Sequence, residues 1–211
     1  MTRKLFLFLL AVVALTACSS DPVPHGMTTQ QQATYSKAIA GVYTGTYTIV
    51  YNDGDGGSDK KVKIANAQMT ITDETTHAVC FHDFPVSLLA KVVNDDALAE
   101  ALQHAPNMDL VAAYRFYDLQ DNGDVNWGYV MAAAPLTLHY GSTDHHLVLK
   151  LHSGVYFGLT KANLDAGTPF PPRSVFQFEV VAICEGDTHV EDLDAVWQNN
   201  NMFLTLFQLD E

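Results

Sequence analysis

The chain has 211 residues, 48% of them hydrophobic, and a formal net charge of −13 at pH 7. This length and apolar content are sufficient for one domain with a single substantial core. Such an acidic surface repels nucleic-acid phosphates and anionic headgroups, so it excludes nucleic acid as an expected partner and rules out attachment through a polybasic patch.

The first eighteen residues predict export. Arg3 and Lys4 precede an apolar run from Leu5 to Leu15, and the stretch ends in Leu15-Thr16-Ala17-Cys18. A basic start, a short apolar centre and small residues before the cleavage point are typical of a secretory signal peptide. The last four residues resemble a bacterial lipobox, which implies removal of residues 1–17 and lipidation of Cys18. Acyl chains contribute about 0.8 kcal/mol per buried methylene, so two or three of them hold a protein on a membrane.

The next residues predict a tether, followed by one domain. Residues 18–27 contain Pro22, Pro24 and Gly26 and are expected to be a flexible linker. Residues 28–211 are expected to form the domain. It begins with a predicted helix over Thr28–Ile39, capped by Thr28 or Thr29.

Two strands are predicted after this helix. In Val42–Tyr51, large apolar residues alternate with valine and threonine, which is the period of a half-buried strand. In the second strand, Lys61–Thr72, the apolar parity changes between Ile64 and Met69. This change predicts a β-bulge near Ala65–Ala67.

A helical insert is predicted near residues 85–105, after a third strand at Thr76–His82. Phe84-Pro85 opens it, and two short helices are expected at Val86–Val92 and Asp95–Ala105. Five further strands are predicted: Leu110–Leu119, Val125–Tyr140, His145–Leu159, Ser174–Cys184 and Met202–Leu209.

One hairpin register can also be predicted. Leu138 is expected opposite Leu147 and His139 opposite His146, with Gly141–Asp144 as the loop. About eight antiparallel strands and one helical insert predict a mainly β fold, a meander closing into a barrel.

A family resemblance supports this fold. The lipobox, the short helix, the run Gly41-Val42-Tyr43-Thr44-Gly45-Thr46-Tyr47 and the helix opened by Phe84-Pro85 together resemble small lipoproteins of Bacteroides-type bacteria that carry a domain of unknown function. The resemblance implies a lipocalin-like (calycin-like) barrel and an envelope location, and it transfers no catalytic residues. By analogy with lipoprotein sorting, Ser19 after the cysteine implies the outer membrane. Asp21 is the only acidic residue close to the cysteine, which favours the periplasmic face over the cell surface.

The two cysteines left after lipidation of Cys18 have two interpretations. Cys80 and Cys184 either form a disulfide in the oxidising envelope or serve as two small buried hydrophobic residues. Cys184 ends an alternating apolar stripe that starts at Phe176, which predicts that it faces the core.

No motif in the chain identifies a reaction. There is no Gly-x-Ser-x-Gly elbow and no His-Glu-x-x-His. The acidic loop from Asp53 to Asp59 lacks the glycine and the final glutamate of an EF-hand, and the histidines are expected on the solvated surface. No catalytic residue, metal site or cofactor is therefore predicted.

The aromatic residues support a binding hypothesis. They are spread over many strands, where they either fill the barrel or line a cavity for a small apolar or glycan ligand. The candidate lining residues are Tyr43, Tyr47, Trp127, Tyr129, Phe176 and Phe178. The leading hypothesis is a non-enzymatic, membrane-anchored binding module. The alternatives are an interaction protein with a filled barrel that contacts another envelope protein, and a hydrolase with a site scattered in sequence.

Overall fold

One antiparallel sheet organises the protein. The computed structural model describes residues 28–53, 58–73, 77–116, 136–152, 165–167, 174–193 and 201–210. Residues 1–27, and with them the predicted signal peptide, Cys18 and the tether, lie outside this set. The described elements are α1 (Thr29–Ile39), β1 (Gly41–Asp53), β2 (Lys60–Thr72), β3 (Ala78–Phe84), a 3₁₀ helix (Val86–Lys91), α2 (Asp96–Gln103), β4 (Met108–Ala113), β5 (Leu136–Tyr140), β6 (Thr143–His152), β7 (Val175–Glu185), β8 (Thr188–Asp192) and β9 (Asn201–Leu209).

Most consecutive strands are neighbours in the sheet, and the last strand, β9, pairs with the first, β1. Their order in the sheet is β4-β3-β2-β1-β9-β7-β6-β5, and β8 pairs with β7. The pairing of β1 with β9 joins the first and last parts of the chain, and the sheet curves into a half-barrel. The predicted mainly β, antiparallel, barrel-like fold is thereby confirmed. Among the described residues, the outermost strands β4 and β5 do not pair with each other, and the predicted strand portions within 117–135 and 153–159 lie outside the description.

Helix α1 begins where the sequence predicted. Thr28 Oγ1 accepts a hydrogen bond from the Gln31 amide at 3.2 Å, and Gln31 Oε1 accepts one from the Thr28 amide at 2.8 Å. This reciprocal capping box satisfies two amides that no helical carbonyl can reach. Gln32 attaches the helix to the segment that follows β4, because its side-chain amide exchanges two hydrogen bonds with the backbone of Phe116.

The first two strands confirm both the predicted alternation and the predicted bulge. Tyr47 and Ile49 are buried, whereas Val42 on the opposite face is 68% exposed. Gly45 pairs with Ala67, but Tyr47 pairs with Ile64, so two residues of β2 lie opposite one residue of β1. The extra residue reverses the parity of β2 and keeps its apolar side chains on the core side along the whole strand.

The helical insert is confirmed as a 3₁₀ helix followed by α2. Asp95 caps α2, since its side chain accepts a hydrogen bond from the Leu98 amide at 2.7 Å. The buried Glu191 carboxylate of β8 accepts three hydrogen bonds, two from Asn94 and one from the Asp95 amide. Glu191 thus fixes the insert to β8. This strand was not predicted from the sequence, because most of its residues are polar.

The predicted β5–β6 register is wrong by two residues. Leu136, rather than Leu138, pairs with Leu147, and His139 lies opposite Asp144 instead of His146. The turn contains only Gly141 and Ser142, with φ of 56° and 75°. Two residues with positive φ form a tight hairpin turn that matches the strand twist, so Thr143 and Asp144 continue the strand.

The predicted core position of Cys184 is also wrong. The β6–β7 register shifts between Lys150 and Leu151, which places an extra residue in β7. After this irregularity Ile183 is fully buried, whereas Cys184 is half-buried. The alternation that starts at Phe176 therefore changes parity before it reaches Cys184.

Candidate functional site

The predicted cavity residues divide into three groups. Tyr47, Phe176 and Phe178 are buried in the core. Tyr43 is half-buried, and its hydroxyl donates to the Ile39 carbonyl at 2.6 Å. Trp127 and Tyr129 lie outside the described residues.

The buried rings contact one another across the interior of the half-barrel. Phe81 of β3 and Phe178 of β7 have ring centroids 5.0 Å apart, although β2, β1 and β9 separate these strands in the sheet. The Tyr47 ring lies 5.2 Å from Phe207 and 5.9 Å from Phe84, both edge-to-face. These separations are those of attractive aromatic contacts. The described rings therefore fill this part of the interior.

A polar cluster lies on the opposite, outer face of the sheet. Cys80 and His82 alternate with Phe81 on β3, so both point outward while Phe81 lies in the core. Asp109 comes from the neighbouring strand β4, and Thr70 of β2 pairs with Cys80. Cys80, His82 and Asp109 are called the β3–β4 cluster below.

The three members of the β3–β4 cluster converge on one imidazole nitrogen. His82 Nδ1 lies 3.5 Å from Cys80 Sγ and 3.2 Å from Asp109 Oδ2. Each of the three residues offers one ligand atom within 4.8 Å of those of the other two. On the other side of the ring, Nε2 lies 2.8 Å from Thr70 Oγ1. The second carboxylate oxygen, Oδ1, accepts a hydrogen bond from the Asp83 amide at 3.2 Å.

This arrangement does not match a cysteine-hydrolase triad. In a triad the nucleophile and the carboxylate bind opposite nitrogens of the histidine, whereas here both approach Nδ1. Burial, and then the Asp109 carboxylate, raise the pKa of the Cys80 thiol to about 12. The thiol is therefore protonated at neutral pH, which is the unreactive form.

Sequence reasoning missed the β3–β4 cluster. The sequence predicts His82 only as one of several histidines on the solvated surface. The amide of the neighbouring Asp83 contacts Asp109, but the Asp83 side chain is not in the cluster. The alternation Cys80-Phe81-His82 was the available signal, because in a strand it places both polar side chains on one face. Asp109 could not be assigned to them without the β3–β4 pairing.

A second polar network lies at the end of the β5–β6 hairpin. His145 Nε2 lies 2.8 Å from Thr143 Oγ1, and His145 Nδ1 lies 3.2 Å from Glu185 Oε2. The imidazole stacks on Tyr140 at a centroid distance of 3.8 Å. The hydroxyl, imidazole and carboxylate contact one another in the order of a catalytic triad. Thr143, however, is exposed at the end of the hairpin, whereas the nucleophile of a triad acts in a site that excludes water. We interpret this network as a stabilising contact between β6 and β7.

The two cysteines are not bonded to each other. Cys80 and Cys184 are both free thiols, on β3 and β7 respectively. Both are half-buried, and three strands separate β3 from β7 in the sheet. The disulfide considered from the sequence is absent from this structure.

Comparison with known proteins identifies a family. The model of the family described as Domain of unknown function (DUF4840) matches residues 38–167, more than half of the chain. The matched segment contains all members of the β3–β4 cluster. No curated protein and no solved structure matches the chain. Within the described residues, no helix combines the length and apolar character needed to cross a membrane.

Proposed function

We propose that this chain, which belongs to the DUF4840 family of domains of unknown function, is a non-enzymatic lipoprotein of the bacterial envelope with a filled, lipocalin-like barrel that binds a protein partner on its outer surface. The observation that carries this proposal is the aromatic contact across the interior, with Phe81 and Phe178 at 5.0 Å. These rings occupy the space in which a lipocalin would hold a ligand. Binding on the outside is therefore favoured over binding of a small apolar or glycan ligand inside.

The strand order supports the barrel part of the proposal. Most strands that follow one another in the chain are neighbours in the sheet, and β1 pairs with β9. The exceptions are β8, which pairs with β7, and the outermost strands β4 and β5, which do not pair with each other among the described residues. This is the connectivity of an up-and-down barrel that is open between β4 and β5. The lipocalin-like description and the relation to Bacteroides-type lipoproteins remain parts of the proposal.

The anchor part of the proposal depends on Cys18. The lipobox resemblance of Leu15-Thr16-Ala17-Cys18 supports acylation at this residue. Ser19 supports the outer membrane as the location, and the single nearby acidic residue, Asp21, supports its periplasmic face. We expect an alkyne-labelled fatty acid fed to cells to label the wild-type protein and the Cys184→Ala control, but not Cys18→Ala. Equal labelling of Cys18→Ala would contradict the anchor.

The filled interior can be tested by mass. The detergent-solubilised protein is purified from envelopes and its native mass is compared with the denatured mass of the same sample. We expect the two masses to agree, because the described aromatic rings contact one another across the interior. A reproducible excess mass that disappears on denaturation would overturn the filled barrel and support the cavity hypothesis.

A further inference from the structure

We propose that the β3–β4 cluster binds one divalent cation of the zinc type, with Cys80 Sγ, His82 Nδ1 and Asp109 Oδ2 as its ligands. Sulfur, imidazole nitrogen and carboxylate oxygen are the three ligand types that Zn²⁺ uses in proteins. The inference depends on the outer face of the sheet and not on the membrane anchor or the filled interior. It gives the three residues of the β3–β4 cluster a role in binding a metal ion.

The distances fit a tetrahedral ion. Bonds of about 2.3 Å to sulfur and about 2.0–2.1 Å to nitrogen or oxygen, at tetrahedral angles, place sulfur and nitrogen about 3.6 Å apart and nitrogen and oxygen about 3.4 Å apart. The corresponding separations in the structure are 3.5 Å for Sγ to Nδ1 and 3.2 Å for Nδ1 to Oδ2. A cation can therefore be held with shifts of only a few tenths of an ångström.

Two further contacts orient the ligands. Thr70 Oγ1 lies 2.8 Å from His82 Nε2 and can accept a hydrogen bond from the Nε2 N–H, which leaves the lone pair of Nδ1 for the ion. The Asp83 amide donates to Asp109 Oδ1, which leaves Oδ2 for the ion. Such outer contacts fix the tautomer and the direction of metal ligands.

The charge of the cluster also favours a cation. The Asp109 carboxylate attracts a dication, and the dication stabilises the Cys80 thiolate, so one proton leaves as the Sγ–metal bond forms. The His82 side chain is 31% exposed and that of Asp109 is 56% exposed, so the fourth position of a tetrahedral ion is open to water.

The test is a titration of the full-length, detergent-solubilised protein with Co²⁺. A tetrahedral site with one thiolate produces a sulfur-to-cobalt charge-transfer band in the near ultraviolet and strong visible bands, and Zn²⁺ removes both by displacement. We expect one Co²⁺ per chain. Cys80→Ser should abolish the charge-transfer band, and His82→Gln and Asp109→Asn should each weaken binding at least tenfold. Thr70→Val, which removes only the orienting hydroxyl, should weaken it about tenfold.

Matched controls separate the cluster from other thiols and histidines. Cys184→Ser removes the other described thiol and Cys18→Ser removes the remaining cysteine. His189→Gln removes a histidine that lies 2.6 Å from the carboxylate of Asp192 but has no cysteine in its hydrogen-bonded group. All three controls should keep the wild-type cobalt spectrum.

The outcomes are decisive in both directions. A wild-type protein without a charge-transfer band, or a band that persists in His82→Gln and Asp109→Asn, would overturn the site. If circular dichroism showed that Cys80→Ser does not fold, those two variants would decide, because the His82 side chain is 31% exposed and that of Asp109 is 56% exposed. Fatty-acid labelling and native mass test the proposed function independently of cobalt binding. A protein that binds no Co²⁺ would therefore refute the metal site and leave the proposed function standing.

Discussion

Gly45 of β1 pairs with Leu209 of β9, and its replacement by alanine tests this strand pairing. A Cβ atom on Gly45 would overlap the backbone carbonyl oxygen of Gln208 and lie 2.9 Å from Cζ of Phe207. Carbon atoms in favourable contact are about 3.5–4.0 Å apart. Because the first clash involves the backbone of β9, a side-chain rotation cannot relieve it.

The expected cost follows from this overlap. Overpacking a core usually costs about 1–3 kcal/mol, and a clash with backbone belongs at the upper end, so we expect Gly45→Ala to lower the free energy of unfolding by about 3 kcal/mol. In a protein of this size each kcal/mol changes the melting temperature by about 2–4 °C. The variant should therefore melt about 6–12 °C below the wild type.

Gly41→Ala is the matched control on the same strand. Its nearest neighbours would be ring atoms of Tyr43 at 3.4–3.5 Å, an ordinary contact. We expect its free energy of unfolding to stay within about 1 kcal/mol of the wild type, since alanine also restricts the unfolded chain. Thermal unfolding followed by circular dichroism compares the two variants. If Gly45→Ala melted within about 2 °C of Gly41→Ala, the β1–β9 register would be refuted.

Three further predictions concern a buried carboxylate, a titrating histidine and the thiols. Glu191→Ala leaves three N–H donors without their acceptor, so it should lower the free energy of unfolding, measured with urea, by about 3 kcal/mol. The control Glu100→Ala removes an exposed carboxylate and should lower it by less than about 0.5 kcal/mol. Burial lowers the pKa of His77, so the unfolded state binds the proton more readily, and the free energy of unfolding should fall as the pH drops below about 6.5. A His77→Leu variant whose stability depends on pH as that of the wild type does would contradict this. Thiol titration of the denatured, unreduced protein should find Cys80 and Cys184 both reactive, whereas a linked peptide would contradict the structure.

Features that depend on near neighbours in the chain could be predicted from the amino-acid sequence. The cap of α1 at Thr28, which was one of two predicted residues, the start of α2 near Asp95 and the buried face of β1 with Tyr47 all follow from residues within a few positions of one another. The bulge near Ala65–Ala67 was also readable, because the apolar parity of β2 changes within a single strand. The lipobox at Cys18 is likewise a local pattern, and it remains a prediction.

Features that depend on pairing between strands distant in the chain emerged with the three-dimensional structure. The two-residue turn at Gly141 set the β5–β6 register, and the irregularity in β7 moved Cys184 out of the predicted core position. Asp109 joins Cys80 and His82 because β4 pairs with β3, and no spacing in the chain encodes that contact. The physical reason is the two-residue period of a strand: a shift of one residue moves every later side chain to the other face, and the partner strand's hydrogen bonds determine whether that shift occurs.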